Sequence, residues 1–154
     1  MAGKIDAKLA QMGVTLPEAP APAANYVPFV RVGDMVHVSG QIPKDENGLI
    51  CGKLGADMDV SEGQAAARVC ALNLLAQLRA ALDGDLDRLV RVVRLGGFVN
   101  ATPDFTGQAA VINGASDFIG DLLGPVGAHA RAAVGCASLP LGVAVEIEGM
   151  FQVR

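Results

Sequence analysis

One arginine stands in a small, apolar stretch near the end of this sequence. Over His129–Cys136 (HARAAVGC), Arg131 is the one side chain with a permanent charge. Extended backbone sends His129, Arg131, Ala133 and Gly135 to one side and Ala130, Ala132, Val134 and Cys136 to the other. After Ser138-Leu139-Pro140-Leu141-Gly142, a second extended stretch, Val143 to Val153, sets Glu146 and Glu148 opposite Val145, Ile147, Phe151 and Val153. A guanidinium is a planar, two-pronged donor that matches a carboxylate. A carboxylate of suitable pKa can take a proton from water. Such charges seldom sit in apolar strands unless they are paired or bind something. The two strands are expected to pair as a closing hairpin. Residue types alone favour the plainer account, an ion pair between Arg131 and Glu146 or Glu148.

The other candidates are weaker by themselves. Glu146 and Glu148 are about 7 Å apart along a strand, too far to share a proton. His129 shares the Arg131 face, so it is an added acid/base, a second anion contact, or only a histidine at a loop-to-strand junction. His37 shares a face with Ser39 and reads as structural. Ser39 lacks a GxSxG context and is expected to be a hydrogen-bonding pocket group, while Gly40 allows close backbone approach or a turn. Three cysteines (Cys51, Cys70, Cys136) and two histidines show no ligand spacing, so no metal is expected. Gly96-Gly97 lacks the pattern of a phosphate loop.

These side chains need a scaffold, and 154 residues suit a single domain spanning 1–154. Aromatic residues are 4% and Trp is absent, so each core side chain buries little area and oligomerisation would add burial. The net charge of −4 argues against broad attraction to nucleic acid. Arg88, Arg91 and Arg94 divide between the faces of a strand and form no stripe. No apolar run is long enough to cross a bilayer, and Lys4, Asp6 and Lys8 interrupt any signal peptide; a soluble cytoplasmic protein is expected.

The periodicity predicts a helix over Gly3–Gly13, then an extended, solvated Pro/Ala-rich connector, Leu16 to Ala24, the two making an N-terminal extension over 1–25. Strands follow at Tyr26–Val32 and Met35–Ser39 around Gly33-Asp34, then a charged turn, Lys44 to Gly48. Leu49 to Met58 is loop or short strand. A helix opens at Ser61 with Gln64 completing a capping box, and Gly84 stops it. A strand over Leu89–Val99 precedes a helical region from Thr102 to Leu123, which contains Asn113-Gly114. The sum is an α+β arrangement: a mixed sheet with two main helices on one face.

Val38-Ser39-Gly40-Gln41-Ile42-Pro43, then Ala130-Arg131 with its apolar strand, then Leu139-Pro140 and Val145-Glu146-Ile147-Glu148 together resemble the RidA/YjgF family, also known as endoribonuclease L-PSP. The likeness runs from about Tyr26 to the C-terminus. It implies a chorismate-mutase-like fold, a homotrimer with pockets at subunit interfaces, and hydrolysis of reactive imines and enamines to 2-keto acids and ammonia, with no cofactor. By matching motif positions, Arg131 resembles the arginine that grips the substrate carboxylate, and Glu146 the acidic residue that positions or activates water. Ser39 and Gly40 resemble pocket lining, Tyr26 the family tyrosine, and Asn113 the pocket asparagine. The chain departs from the main branch at two motif positions, and it adds an N-terminal helix and extra residues before Asn113. Ala133 stands where a cysteine is usual, and His129 where a proline is usual. A divergent branch is implied, with His129 and Ala133 among the residues near substrate. With the resemblance, a ligand role for Arg131 moves ahead of the ion pair. A trimeric carboxylate-binding protein without turnover is the alternative, and an endoribonuclease a weaker one, given the acidic chain.

Overall fold

The computed structural model describes residues 2–154. Its main elements in order are α1 (Lys4–Gln11), β1 (Phe29–Val32), β2 (Met35–Gln41), β3 (Lys44–Asp45), β4 (Gly48–Leu49), α2 (Val60–Ala81), β5 (Leu89–Asn100), α3 (Gln108–Leu123), β6 (Ala130–Cys136) and β7 (Val145–Val153). The expected charged turn is the tip of the small β3–β4 hairpin.

α2 starts earlier than the Ser61–Gln64 box predicts. Asp59 is its N-cap: the Asp59 carboxylate accepts the Glu62 N–H, and the Glu62 carboxylate accepts the Asp59 N–H, each at 2.8 Å. Two carboxylates complement a helix N-terminus better than a hydroxyl and an amide. Gln64 is left to donate to the Ala110 carbonyl of α3 at 2.8 Å. α3 starts later than Thr102, because Thr102 N–H is taken by Leu54 O and Thr102 O closes a turn onto Phe105 N–H. Asn113-Gly114 lies inside α3. A Cβ on Gly114 would sit 2.1 Å from Gln64 O, so this glycine permits close helix contact and makes no turn.

The larger sheet has the order β1-β2-β7-β5-β6. Its closing strands correct the expected hairpin. β6 pairs with β5 in parallel, while β7 lies between β2 and β5, antiparallel to both. α3 is the crossover that a parallel β5–β6 pair requires. The Ala137–Ala144 connection then steps over β5 instead of turning tightly. The central position suits β7, whose Val145, Ile147, Phe151 and Val153 are all buried, whereas small residues fill the edge strand β6. β1 begins at Phe29, not Tyr26. Pro28 has no N–H to give the ladder and contributes only its carbonyl, to Ser39 N–H at 2.9 Å.

α2 and α3 cover one face. Leu74, Leu78, Ile112 and Ile119 bury Val36, Leu95, Val99, Ile147 and Phe151 beneath them. α1 is capped from a distant segment, with Lys4 N–H and Ile5 N–H donating to the Asp87 carboxylate at 2.7 and 3.0 Å. The connector is less solvated than expected: Leu16 is buried and Pro20 O accepts from Gln77 Nε2 at 2.6 Å. The opposite sheet face is open, with Val30, Val32 and Val134 at 48%, 66% and 48% exposure. Among the described residues, no helix is long and apolar enough to cross a membrane.

Candidate functional site

Strand register decides where each charge points. Along β5, Leu95 is level with Arg131 and Gly149, and Phe98 with Val134 and Glu146. Side chains level on neighbouring strands share a face. Leu95 is in the core, so Arg131 points towards α3, while Glu146 alternates with buried Val145 and Ile147 and points to the open face. The plainer alternative, an ion pair between Arg131 and Glu146 or Glu148, therefore does not form within the chain. Among the described residues, no carboxylate lies within 4.0 Å of Arg131.

Neutral groups of α3 hold the guanidinium instead. Nη1 donates to Asn113 Oδ1 at 2.8 Å and to Ser116 Oγ at 3.1 Å, and Nη2 donates to Ala109 O at 3.3 Å. Residues 109, 113 and 116 fall on one helical face by the 3.6-residue period. A guanidinium has five N–H donors. Among the described residues, Nε–H and one Nη2–H have no partner, on a partly exposed side chain whose charge no carboxylate there neutralises. Ala133 follows Arg131 on the same face, level with Gly97. His129 Nδ1 is 2.6 Å from Gly127 O and its Nε2 is 2.9 Å from Ser116 Oγ, so both ring nitrogens are engaged by the chain itself.

The second group gathers around an irregularity in β2. Val38 is level with Gly149 but Gln41 with Ile147, which leaves one extra residue in β2 opposite Glu148. Such a bulge bends the strand and re-aims its side chains. Gly40 lies in it, and a Cβ there would stand 2.3 Å from Glu146 Oε1. The glycine backbone thus lies directly against the carboxylate. Ser39 Oγ donates to Val27 O at 2.8 Å, which brings the segment of Tyr26 to this corner; Tyr26 itself is exposed. Buried Gln41 donates to Ser39 O at 2.9 Å, and Gln77 of α2 reaches Gln41 Oε1 at 3.5 Å, fixing the bulge from the core. Glu146 is half-buried, and that burial, with the Glu148 charge beside it, raises its carboxyl above the ordinary value. Burial also pushes the Cys70 thiol well up, leaving it an inert core group.

The named residues thus fall into two groups on opposite faces: Asn113, His129, Arg131 and Ala133 under α3, and Tyr26, Ser39, Gly40 and Glu146 around the bulge. Sequence reasoning missed Ala109, Ser116, Gln41 and Gln77. Ser116 stands one turn beyond Asn113, and Gln77 interrupts the apolar stripe of α2; both were visible signals. Among the described residues, no group of three or more His, Cys, Asp or Glu is placed to hold a metal ion.

A family model described as "YjgF/chorismate mutase-like, putative endoribonuclease" matches residues 6–148. Protein TCP17 of Trypanosoma cruzi is 53% identical over 99% of this chain and 96% of its own. A crystal structure from Shewanella oneidensis, described as a "putative endoribonuclease", is 34% identical with a TM-score of 0.93, covering 98% of this chain and 100% of that one. E. coli TdcF with bound serine is 27% identical with a TM-score of 0.62, covering 89% of this chain and 94% of that one. By fold, motif order and extent of match, the chain belongs to the YjgF/chorismate-mutase-like family, whose members include proteins named endoribonuclease L-PSP.

Proposed function

We propose that the protein hydrolyses small 2-imino acids, and the enamines that tautomerise to them, to 2-keto acids and ammonia, at sites shared between copies of a homotrimer. The observation that carries this reading is Arg131, a cation that, among the described residues, is held by neutral groups alone and keeps two donors free. An α-imino acid presents the carboxylate that such a donor pair takes. Serine bound to E. coli TdcF supports a small amino-acid-like ligand in this family.

Gripping the carboxylate sets the imine carbon at a fixed distance from an incoming water. The water oxygen bonds to C2, and the C=N π pair moves to nitrogen. Glu146 takes one water proton. Protonation of the resulting amine and collapse of the carbinolamine then release ammonia and leave the C2 carbonyl. A base works best with its pKa near the working pH, and the raised Glu146 carboxyl is shifted in that direction. Because Arg131 and Glu146 occupy opposite faces of their own sheet, one substrate meets both only where a neighbouring copy brings its Glu146 group to this chain's Arg131 group. The exposed valines of the open face and the unpaired edge of β6 favour such association.

The test is release of 2-keto acid from imines generated in situ by an amino-acid oxidase. Wild type is expected to accelerate release, and Arg131→Ala to abolish the acceleration. Equal rates for the two proteins reject the reading. Carboxylate binding that needs Arg131, with no turnover of any imine, assigns a binding protein instead.

A further inference from the structure

We propose that Ser116 and His129 form a directional hydrogen-bond relay that sets the donor geometry of Arg131, which makes His129 a positioning residue and not a group that meets substrate. The proposal rests on Arg131 being the carboxylate grip. Its geometry, however, is testable without substrate.

Each bond in the relay has its direction fixed by chemistry. Gly127 O can only accept, so His129 Nδ1, 2.6 Å away, carries the hydrogen. In the neutral ring Nε2 is then an acceptor. Ser116 Oγ, at 2.9 Å, donates its single hydrogen to Nε2. The Ser116 lone pairs are left for Arg131 Nη1, which can only donate, at 3.1 Å. The chain of donation thus runs from Arg131 through Ser116 and His129 to the backbone carbonyl.

Without His129 the Ser116 hydroxyl is free to rotate, and its hydrogen can point at the guanidinium it should receive. With His129 in place, the hydroxyl presents only lone pairs. Asn113 Oδ1 takes the other Nη1 hydrogen at 2.8 Å, so Nη1 is fully occupied. The guanidinium plane is held, and Nε–H and one Nη2–H are left for a ligand. The histidine two residues before the arginine thus gains a physical role.

The chain has two histidines, so nitrogen-15 long-range spectra resolve both rings. At about pH 8.5, above the usual imidazole range, the His129 ring, assigned by its loss in His129→Gln, is expected as the Nδ1–H tautomer. Its Nε2 signal is expected to show a hydrogen bond that Ser116→Ala removes and Ser116→Thr retains. In kinetics, Ser116→Ala and His129→Ala should each raise KM for an imino acid about tenfold, with kcat nearly unchanged. The double variant should be no worse than Ser116→Ala alone, because His129 acts only through Ser116. An Nε2–H tautomer, additive losses, or a kcat collapse in His129→Ala would overturn the relay. If wild type turns over no imine, the hydrolase reading fails, while the tautomer and its response to Ser116→Ala still decide the relay.

Discussion

Mixed assemblies of Arg131→Ala and Glu146→Gln chains should recover activity that neither has alone. Arg131→Ala removes the two free donors along with the charge; at about 1.5–3 kcal/mol for each bond to a charged partner, kcat/KM should fall by roughly two to four orders of magnitude. Glu146→Gln removes the proton acceptor, a loss of about 10²–10⁴. In a random equimolar mixture, a shared site works when its arginine comes from a Glu146→Gln chain and its carboxylate from an Arg131→Ala chain. Each condition has a chance of one half, so about a quarter of wild-type turnover per site returns, far above either parent.

Co-expression with two different tags, tandem purification and a coupled keto-acid assay would measure the recovery. Native mass spectrometry would establish that mixed assemblies are present. A site contained in one chain gives no recovery, because every chain then lacks one partner. Mixed assemblies no more active than the mean of the parents would refute the division of the site between copies, whatever the reaction.

Two further predictions concern the β2 bulge and the cap of α1. Gly40→Ala puts a methyl group where Glu146 Oε1 lies, at 2.3 Å, but the obstructed atom is the end of a flexible side chain. Turnover should drop at least about tenfold while urea stability changes by less than about 1 kcal/mol; unchanged turnover would show that Glu146 is not held by the bulge. The Asp87 carboxyl is held below its ordinary value by hydrogen bonds from Ile5 and Lys4 N–H. Its stabilisation is therefore present above the unfolded-state pKa and lost as pH falls through the lower folded one. Asp87→Asn should flatten that acid limb in thermal melts across pH; an unchanged limb would remove Asp87 from the account.

The helices and most strands were legible because each carries its own period: Leu74, Leu75 and Leu78 on α2, or Val145, Ile147 and Phe151 on β7. Boundaries failed where two local patterns competed. Ser61-x-x-Gln64 reads as a capping box, but the carboxylates of Asp59 and Glu62, two residues earlier, start the helix. Asn113-Gly114 by itself suggests a turn, yet the helix runs through it as expected, with Gly114 set against the backbone of Gln64. The pairing of β6 and β7 was not legible, because alternation says which side chains share a face but not which strand lies alongside. The same gap hid the surroundings of Arg131: the arginine stands out in the sequence, while Ala109 and Ser116 are ordinary residues until α3 is laid across β6.

Strand order, more than any single residue, shapes the proposed chemistry. α3 both carries the chain from β5 to β6 and supplies Ala109, Asn113 and Ser116, so the crossover that makes β6 parallel also commits Arg131 to the helix side. β7, inserted at the centre, must give Val145, Ile147 and Phe151 to the core, which commits Glu146 to the other side. Had β6 and β7 formed the hairpin that their adjacency suggests, a guanidinium and a carboxylate on one face could have neutralised each other. Separation by the sheet keeps both charges available, and under the proposed function a second copy of the chain brings them to one substrate.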